Sequence, residues 1–311
     1  MRFRKVRVFY NRRSGPGVSR FDRVERAVSA AWAGAADDLA WYFPQSREAS
    51  KAMVAESLRD GADLVLVCGG DGTVSSIGLE LLGTGVPMGV LQMGSGNGLA
   101  RHFGEDMDPA AAAAQLASGT VRDMDVGFVN GRPFLVSASF AWDAALVEAY
   151  DRLPMRGVAS YVLAGAASLV EYRAQPFEIV VDGAEKIEIP DPLLCTVGNL
   201  SGWGGGAKID DGADADDGLL ELVAGRRRDG AHFLGDIAEV FSGGSRNLPR
   251  VVYRRFSTLS IRRAEPAPVQ LDGELADCGR DLEISVGRRK MRVLAPASAP
   301  ATASTTKEED K

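Results

Sequence analysis

Short apolar runs alternate with amphipathic stretches along the first third of the chain. Runs of strand length cover residues 6–10, 41–43, 62–68 and 88–93. Between them, residues 21–32 and 46–59 place apolar side chains three or four positions apart, which is the spacing of one helix face. Strands that alternate with helices and short loops predict a mainly parallel, doubly wound sheet.

The pattern changes near residue 125. Two turn signals, Asn130-Gly131 and Asp182-Gly183, each separate apolar runs, as in two-residue β-hairpins. An apolar helix is predicted at about 158–172. Further strands are predicted at residues 193–199, 218–223, 257–262 and 282–294. The second half is therefore expected to be rich in antiparallel strands.

A chain of 311 residues is long enough for two hydrophobic cores. We predict an α/β plus β fold, with an N-terminal doubly wound, Rossmann-like α/β domain over residues 1–125. A C-terminal antiparallel, β-rich and sandwich-like domain is predicted over residues 126–284, and a segment at about 285–296 is expected to pack back on the first domain. Residues 297–311 are Ala, Ser, Thr and Pro followed by charge, which predicts a disordered tail.

Composition limits the classes of partner. With 45% apolar and 25% charged residues the chain is typical of globular proteins, and its net charge of −6 argues against nucleic acid as the principal partner. Basic residues nevertheless cluster at 2–7, 12–13, 226–228 and 288–292. Such clusters favour a transient contact with an anionic membrane surface, and solvated surface charge is the alternative. A homodimer stays open.

Three features bear on location. Cys68, Cys195 and Cys278 are far apart and lack the paired spacing of a zinc site, which fits a reducing environment. The first residues carry charge without a continuous apolar run, so no signal peptide is predicted. The longest apolar-rich stretch, 158–170, is too short to span a bilayer. We expect a cytoplasmic protein that associates peripherally with membranes.

The strongest local signal is a glycine-rich turn between a predicted strand and a predicted helix, Gly69-Gly70-Asp71-Gly72-Thr73. Glycines let the backbone approach a phosphate closely, and the first turn of the next helix offers unpaired N–H groups. Asp71 would repel a phosphate unless a magnesium ion or its waters lie beside it. The sequence therefore predicts a phosphate cradle, with a tight turn and a capping Asp as the alternative.

A second loop of this kind follows the next apolar strand. It runs through Gly94-Ser95-Gly96-Asn97-Gly98 and reaches Arg101 one turn into a helix. Adjacent strands of a doubly wound sheet place such loops side by side at the carboxyl edge, where ligands bind. Ser95 and Asn97 offer neutral hydrogen bonds. Arg101 is predicted to reach a phosphate oxygen, and a purely structural place on the helix is its alternative.

Residues 11–15, 69–73 and 94–101 together resemble the three nucleotide-binding segments of the diacylglycerol kinase catalytic-domain family, which includes bacterial lipid kinases, sphingosine kinases and ceramide kinases. The likeness extends from about residue 5 to residue 296. It implies ATP and Mg²⁺ as cofactors, a nucleotide between the two domains and a lipid that enters the second domain. The nucleotide-binding residues that it implies are Asn11, Ser14, Gly15, Ser46, Gly69, Gly70, Asp71, Gly72, Thr73, Gly94, Ser95, Gly96, Asn97, Arg101 and Glu274. For Ser46, a helix N-cap is the alternative.

A fourth segment near the C-terminus, Asp272-Gly273-Glu274, is the candidate catalytic site. Asp-Gly is a frequent turn in this chain, so the dipeptide alone carries little weight. The resemblance implies that Asp272 accepts the proton of the lipid hydroxyl and that Glu274 helps to place nucleotide or metal. These residue types suit phosphoryl transfer, which depends on positioning, magnesium and a carboxylate oriented at the nucleophile.

Three more carboxylates take their roles from the resemblance alone. With Asp71, the implied metal residues are Asp125, which matches an acid of the magnesium and water network, and Asp217. Asp217 matches an acid of a structural magnesium site in some bacterial members, and a solvated loop acid is its alternative. Asp143 matches a position with which sphingosine kinases hold the polar head of the lipid substrate.

Gly98 marks a departure from bacterial diacylglycerol kinases, which carry an Asp at this place in the second loop. The run 94–100 is closer to that of sphingosine kinases, which also lack this acid. A sphingoid lipid, ceramide or sphingosine, is therefore the expected substrate, and diacylglycerol stays an option.

The predicted function is that of an ATP-dependent lipid kinase. A nucleotide-binding regulatory module without catalysis is favoured by the missing acid at Gly98 and opposed by the presence of Asp71 and Asp272. A NAD kinase shares the Gly-Gly-Asp-Gly-Thr loop, but no Asn-Glu pair follows it here. Hydrolase alternatives fare worse because neither of the 2 histidines stands in a triad-like or zinc-binding arrangement.

Overall fold

The computed structural model describes residues 2–14, 21–152, 158–204, 207–208, 213–227 and 251–299. Gly15 of the first predicted loop and residues 300–311 of the predicted tail lie outside these ranges. Residues 297–299 form a turn, in which Ala299 is buried and its carbonyl oxygen accepts a hydrogen bond of 3.0 Å from the Arg122 guanidinium.

The N-terminal half alternates strands and helices, as the apolar pattern predicts. Its elements are β1 (Phe3–Tyr10), α1 (Phe21–Trp32), β2 (Ala36–Tyr42), α2 (Arg47–Arg59), β3 (Leu64–Gly69), α3 (Asp71–Leu81), β4 (Met88–Gln92), α4 (Gly98–His102), α5 (Pro109–Ala117) and β5 (Thr120–Met124). In α1, Val24, Val28 and Trp32 recur every fourth position and are all buried. This apolar stripe holds the helix on the sheet.

The C-terminal half is mainly strands. Its elements are β6 (Gly127–Val129), β7 (Arg132–Phe134), β8 (Ser137–Ser139), α6 (Trp142–Asp151), α7 (Val158–Glu171), β9 (Phe177–Val181), β10 (Glu185–Ile189), β11 (Pro192–Gly198), β12 (Gly202–Gly204), β13 (Ala207–Lys208), β14 (Leu220–Arg226), β15 (Val251–Phe256), β16 (Thr258–Arg263), β17 (Val269–Leu271), β18 (Glu274–Ala276), β19 (Asp281–Val286) and β20 (Met291–Ala295). Helix α6 was not predicted, and the strand predicted at 282–294 is two strands, because residues 287–290 turn the chain from one sheet to another. No helix in the described part of the chain is long and apolar enough to cross a membrane.

The first sheet has the strand order β2-β1-β3-β4-β20-β5. Its first five strands are parallel, and β5 is antiparallel to β20. The chain therefore leaves this sheet after β5 and returns from the far end of the sequence through β20. Because the order reverses between β1 and β3, the loops after these strands flank a crevice at the carboxyl edge.

Two further six-stranded sheets form the C-terminal part, in the orders β10-β9-β16-β19-β6-β7 and β15-β14-β11-β8-β17-β18. Ile179 and Ile284 of one sheet share a buried core with Val197 and Leu222 of the other, as in a sandwich. The predicted Asn-Gly and Asp-Gly turns join β6 to β7 and β9 to β10, with positive φ at both turn residues. The predicted fold class is confirmed.

Candidate active site

An open cleft of about 890 Å³ separates the carboxyl edge of the first sheet from the β17–β18 hairpin. This volume lies in the range of small-molecule sites. The predicted residues that line the cleft are Asn11, Ser14, Ser46, Gly70, Asp71, Gly72, Thr73, Gly94, Ser95, Asp272 and Glu274. Gly69 and Asn97 line a small cavity behind the loops, and Gly96 and Arg101 lie outside both.

Asn11 ties the loop after β1 to the glycine-rich loop after β3. Its backbone N–H donates to the Cys68 carbonyl over 2.9 Å, and its side-chain amide donates to the Thr73 hydroxyl over 2.7 Å. Its side-chain oxygen accepts from the Arg13 N–H at 2.9 Å. The first predicted loop is thus fixed against the second before any ligand binds.

Gly70 and Gly94 bring the second and third loops into direct backbone contact. A Cβ atom on residue 94 would lie 2.7 Å from the Gly70 Cα, and one on residue 70 would lie 3.2 Å from the Gly94 Cα. No side chain fits at 94 without moving backbone. The sequence marked both glycines as phosphate contacts, and the structure adds this packing requirement.

Asp71, at the start of α3, clamps the third loop. Its two carboxylate oxygens accept from the successive N–H groups of Asn97 and Gly98 at 2.9 and 2.8 Å. Asn97 itself adopts a left-handed conformation and closes the loop through two hydrogen bonds between its side chain and the backbone of Gly94. The Arg101 guanidinium donates to the Gly96 carbonyl over 3.0 Å, so it braces the loop from outside the cleft.

Two arginines bring positive charge to the cleft. Arg13 and Arg47 line it, and Arg47 forms an ion pair with Glu274 on the opposite wall. Arg13 belongs to a basic group noted in the sequence, and Arg47 was missed. Ser46, just before Arg47, caps helix α2, because its hydroxyl accepts from the Ala49 N–H at 3.1 Å. Ser46 is therefore a helix N-cap, which was the alternative given for it from the sequence. Ser46 also lines the cleft.

Asp272 occupies a tight hairpin turn between β17 and β18, with a positive φ of 52°. Oδ2 accepts from the Ser75 hydroxyl at 2.7 Å and from the Leu135 N–H at 2.8 Å. Oδ1 accepts from the N–H groups of Val136 and Ser137 at 2.7 and 3.2 Å. The carboxylate thus joins α3 to the bend before β8, and it lines the same cleft as the loops after β1, β3 and β4.

Burial raises the pKa of Asp272 above its usual value, and the hydrogen bonds from Leu135, Ser75, Val136 and Ser137 oppose that rise. Ser75 was missed from sequence. It lies four residues after Asp71, one helical turn along α3, which places both side chains on one helix face. The backbone donors at 135–137 have no signal in the sequence, because any residue supplies an N–H.

Two family models match the chain. The diacylglycerol kinase catalytic domain matches residues 5–129, and the YegS C-terminal NAD kinase beta sandwich-like domain matches residues 136–292. The diacylglycerol kinase of Mycobacterium tuberculosis is 32% identical over a region that covers 79% of this chain and 81% of that protein. The chain belongs to the diacylglycerol kinase catalytic-domain family.

Other members of this lipid kinase family are similar over most of their length. The Pseudomonas aeruginosa protein named "probable lipid kinase YegS-like" is 30% identical over 88% of this chain and 90% of its own. A crystal structure of a diacylglycerol kinase from Bacillus anthracis matches with a TM-score of 0.74 at 19% identity, covering 96% of this chain and 100% of that one. At that identity the structural likeness supports the fold alone. Family membership implies the use of ATP.

The three carboxylates that the family resemblance assigned to magnesium differ in their surroundings. Asp71 accepts one amide on each oxygen, which leaves lone pairs for a metal-bound water and fits a magnesium ion carried by ATP. Asp125 accepts from the Gly218 N–H and pairs with Lys290 at 3.4 Å, and Asp217 pairs with Arg255. Lys290 and Arg255 therefore already balance the charges of Asp125 and Asp217. Within the described residues, no three His, Cys, Asp or Glu side chains are grouped as metal ligands.

Asp143, the predicted contact for the lipid head, does not line the cleft. It lies in the first turn of α6, where Oδ1 accepts from the backbone N–H groups of Ala141 and Ala144. Oδ2 accepts from the Thr196 hydroxyl and from the Cys195 N–H. Burial raises the pKa of Asp143 to about 6. The carboxylate has protein donors on both oxygens.

Gly98 lies close to Val136 and Asp71. A Cβ atom there would lie 3.2 Å from Val136 Cγ1 and 3.8 Å from the Asp71 Oδ1. An aspartate at 98 would crowd Val136, whose N–H donates to Asp272 from the bend between β7 and β8, and would bring a second carboxylate beside Asp71. A side chain at residue 98 would therefore require Val136 to shift by a few tenths of an ångström.

Proposed function

We propose that this chain transfers the γ-phosphate of ATP to the hydroxyl of a lipid, with Asp272 as general base. The observation that carries the proposal is the position of Asp272, which faces the three cross-linked phosphate loops across one cleft. Leu275, next to the hairpin turn, exposes 44% of its surface and also lines the cleft. An apolar side chain at this point suits an acceptor with a hydrocarbon part.

The proposed reaction is a direct transfer. The lipid hydroxyl gives its proton to the Asp272 carboxylate, and its oxygen forms a bond to the γ-phosphorus. The bond between the γ-phosphorus and the β,γ-bridging oxygen breaks, and ADP leaves with that electron pair. In this proposal the backbone N–H groups at the start of α3 hold the phosphates together with Arg13 and Arg47, which line the cleft, and Arg47 leaves Glu274 to do so.

Asp272 must release one of its protein donors to accept the lipid proton. Its carboxylate offers about four lone-pair sites, and four donors occupy them here. The Ser75 hydroxyl is the donor that turns away most easily, since it rotates about one side-chain bond while the N–H groups of Leu135 and Val136 are fixed by the backbone. We therefore place the lipid hydroxyl on the Oδ2 side.

Magnesium fits this proposal through Asp71. When bound, the ion would neutralise charge on the phosphates of ATP. Asp71 itself fixes the third loop, because each of its oxygens accepts one backbone N–H. It also lines the cleft, and each oxygen has a further lone pair for a metal-bound water. Asp125 and Asp217 are left out of this step, because Lys290 and Arg255 balance their charge.

Diacylglycerol is the acceptor that we favour over a sphingoid lipid. The expectation of ceramide or sphingosine rested on Gly98 and the loop around it. Gly98 lies beside Val136, where any side chain would be crowded, and its identity therefore says little about the lipid. Asp143, the implied contact for the lipid head, has protein donors on both oxygens. The relative from Mycobacterium tuberculosis is named a diacylglycerol kinase. A transient contact with an anionic membrane surface would deliver such an acceptor, using basic groups such as residues 288–292.

The test is magnesium-dependent transfer of radiolabelled γ-phosphate from ATP into matched micelles of diacylglycerol, ceramide or sphingosine. Label in diacylglycerol is expected. Label in ceramide or sphingosine alone would overturn the choice of lipid. Absence of label from all three, with ATP bound, would favour the regulatory-module alternative.

Replacing Ser75 with Ala is expected to shift the acid side of the kcat/KM profile to higher pH. The base must be ionised, so activity falls as pH falls through the pKa of Asp272. Ser75 donates to the charged form and lowers that pKa, and its loss lets the pKa rise further. Ser57→Ala is the control, because Ser57 is buried in α2 and donates only to the Met53 carbonyl. Coincident profiles for the wild type and Ser75→Ala would contradict this role.

A further inference from the structure

A row of polar side chains crosses the sheet that carries the Asp272 hairpin. Gln270 on β17, Ser139 on β8 and Thr196 on β11 are paired in register across three neighbouring strands. The three are 6%, 5% and 2% exposed. Their neighbours along each strand, among them Ala138 and Val197, belong to the sandwich core. Because side chains alternate along a strand, the row occupies the opposite face of the sheet, which packs against α6.

These side chains form one continuous chain of hydrogen bonds. The Gly273 N–H donates to the Gln270 side-chain oxygen over 2.6 Å, and the Gln270 side-chain amide donates to the Ser139 hydroxyl over 2.8 Å. Ser139 and Thr196 hydroxyls are 3.0 Å apart, and the Thr196 hydroxyl donates to the Asp143 carboxylate. The single Thr196 hydroxyl proton goes to Asp143, so Ser139 is the donor to Thr196. Every donor points toward Asp143.

Apolar side chains at these three positions would fill the space between the sheet and α6 equally well, so packing alone does not require polar residues here. A buried polar side chain gains little net stability from its hydrogen bonds, and leaving one of its partners unpaired costs about 1–3 kcal/mol. Such networks are therefore weak evidence for stability and better evidence for a fixed geometry. Here the geometry that is fixed belongs to the peptide group between Asp272 and Gly273.

We infer that Gln270, Ser139, Thr196 and Asp143 form a positioning network for the catalytic turn. The inference rests on the proposed role of Asp272. Asp272 adopts a positive φ, and its carboxylate direction depends on the peptide groups on both sides. The Asp272 N–H donates to the Ser137 carbonyl over 2.8 Å on one side, and Gln270 holds the Gly273 N–H on the other. Asp143 orders the network through its charge and does not contact the substrate.

The first test follows the Gly273 amide by hydrogen exchange in the whole protein, without lipid. Ser139→Ala removes the acceptor of the Gln270 amide, and Thr196→Val removes the link to Asp143 while keeping the side-chain shape. Each is expected to speed exchange at Gly273 by about tenfold, and Thr196→Ser, which keeps the hydroxyl, is expected to restore protection. Wild-type exchange at Gly273 in folded Ser139→Ala and Thr196→Val would overturn the network.

The second test separates positioning from packing. Ser139→Ala and Thr196→Val are each expected to lower kcat about tenfold with the KM for ATP unchanged, and the double variant is expected to be no slower than the slower single variant. Ser168→Ala is the matched control, because it removes a buried hydroxyl that accepts from Trp142 of α6 but stands outside the network. The inference would be refuted if Ser139→Ala and Thr196→Val had the same kcat as the control. It would also be refuted if the double variant lost the sum of the two single losses in activation free energy. If the wild type transfers no phosphate to any lipid, the proposed function is wrong. The exchange rate of the Gly273 amide still tests the hydrogen-bond network in that case.

Discussion

Replacing Asp272 with Asn is expected to lower kcat for lipid phosphorylation by about a thousandfold while ATP still binds. An amide cannot accept the proton of the lipid hydroxyl. Asn tolerates the left-handed conformation that Asp272 adopts, so the hairpin turn is expected to form. The new NH₂ group faces backbone donors that the carboxylate accepted, which is expected to lower stability by about 1–3 kcal/mol. Thermal unfolding measures that loss separately from the rate.

Asp182→Asn provides the control for this substitution. Asp182 also precedes a glycine in a two-residue turn, with a φ of 47°, and its Oδ1 accepts from the backbone N–H groups of Ser257 and Thr258. Asn keeps an oxygen for those donors. Wild-type kcat is therefore expected for Asp182→Asn. A rate for Asp272→Asn within about tenfold of the wild type would rule out Asp272 as the base.

Replacing Asp71 with Asn is expected to weaken ATP binding by about 2 kcal/mol, or roughly thirtyfold in Kd. The Asp71 carboxylate accepts the successive N–H groups of Asn97 and Gly98, one on each oxygen. An amide accepts only one of them and turns a donor toward the other. The third loop then loses its fixed position against the second, and the cleft loses a carboxylate suited to magnesium. Calorimetric titration with ATP and magnesium measures the change.

Asp63 offers a matched control, since its oxygens also accept two successive N–H groups. These belong to Arg4 and Lys5, each at 2.8 Å, and the site lies away from the cleft. Asp63→Asn is expected to lower the melting temperature without changing the Kd for ATP. Equal ATP affinity in the wild type and Asp71→Asn would show that the clamp has no part in nucleotide binding.

The sequence was most informative where local chemistry decides structure. The loops after β1, β3 and β4 follow apolar runs, and glycine at 70 and 94 is required by the direct contact of two backbones. The Asn130-Gly131 and Asp182-Gly183 turns need positive φ, which Asn, Asp and Gly tolerate. These signals depend on a few neighbouring residues, so they are visible in one sequence.

Contacts between distant parts of the chain left no such signal. Ser75 and Asp272 are separated by 197 positions, and Gln270 and Ser139 by 131. Arg101 was predicted to reach a phosphate oxygen, and its guanidinium here donates to the Gly96 carbonyl, as Asn97 does to the Gly94 carbonyl. These contacts depend on which polar groups meet in the folded chain. Composition and spacing along the sequence do not reveal that.

The stereochemical course at phosphorus tests most directly whether Asp272 acts as a base in one direct transfer. ATP made chiral at the γ-phosphorus with oxygen isotopes is used as the donor, and the configuration of the phosphorylated lipid is determined. One in-line displacement predicts inversion. Retention would require two displacements through a phosphorylated side chain, and it would contradict the role of Asp272 as a base.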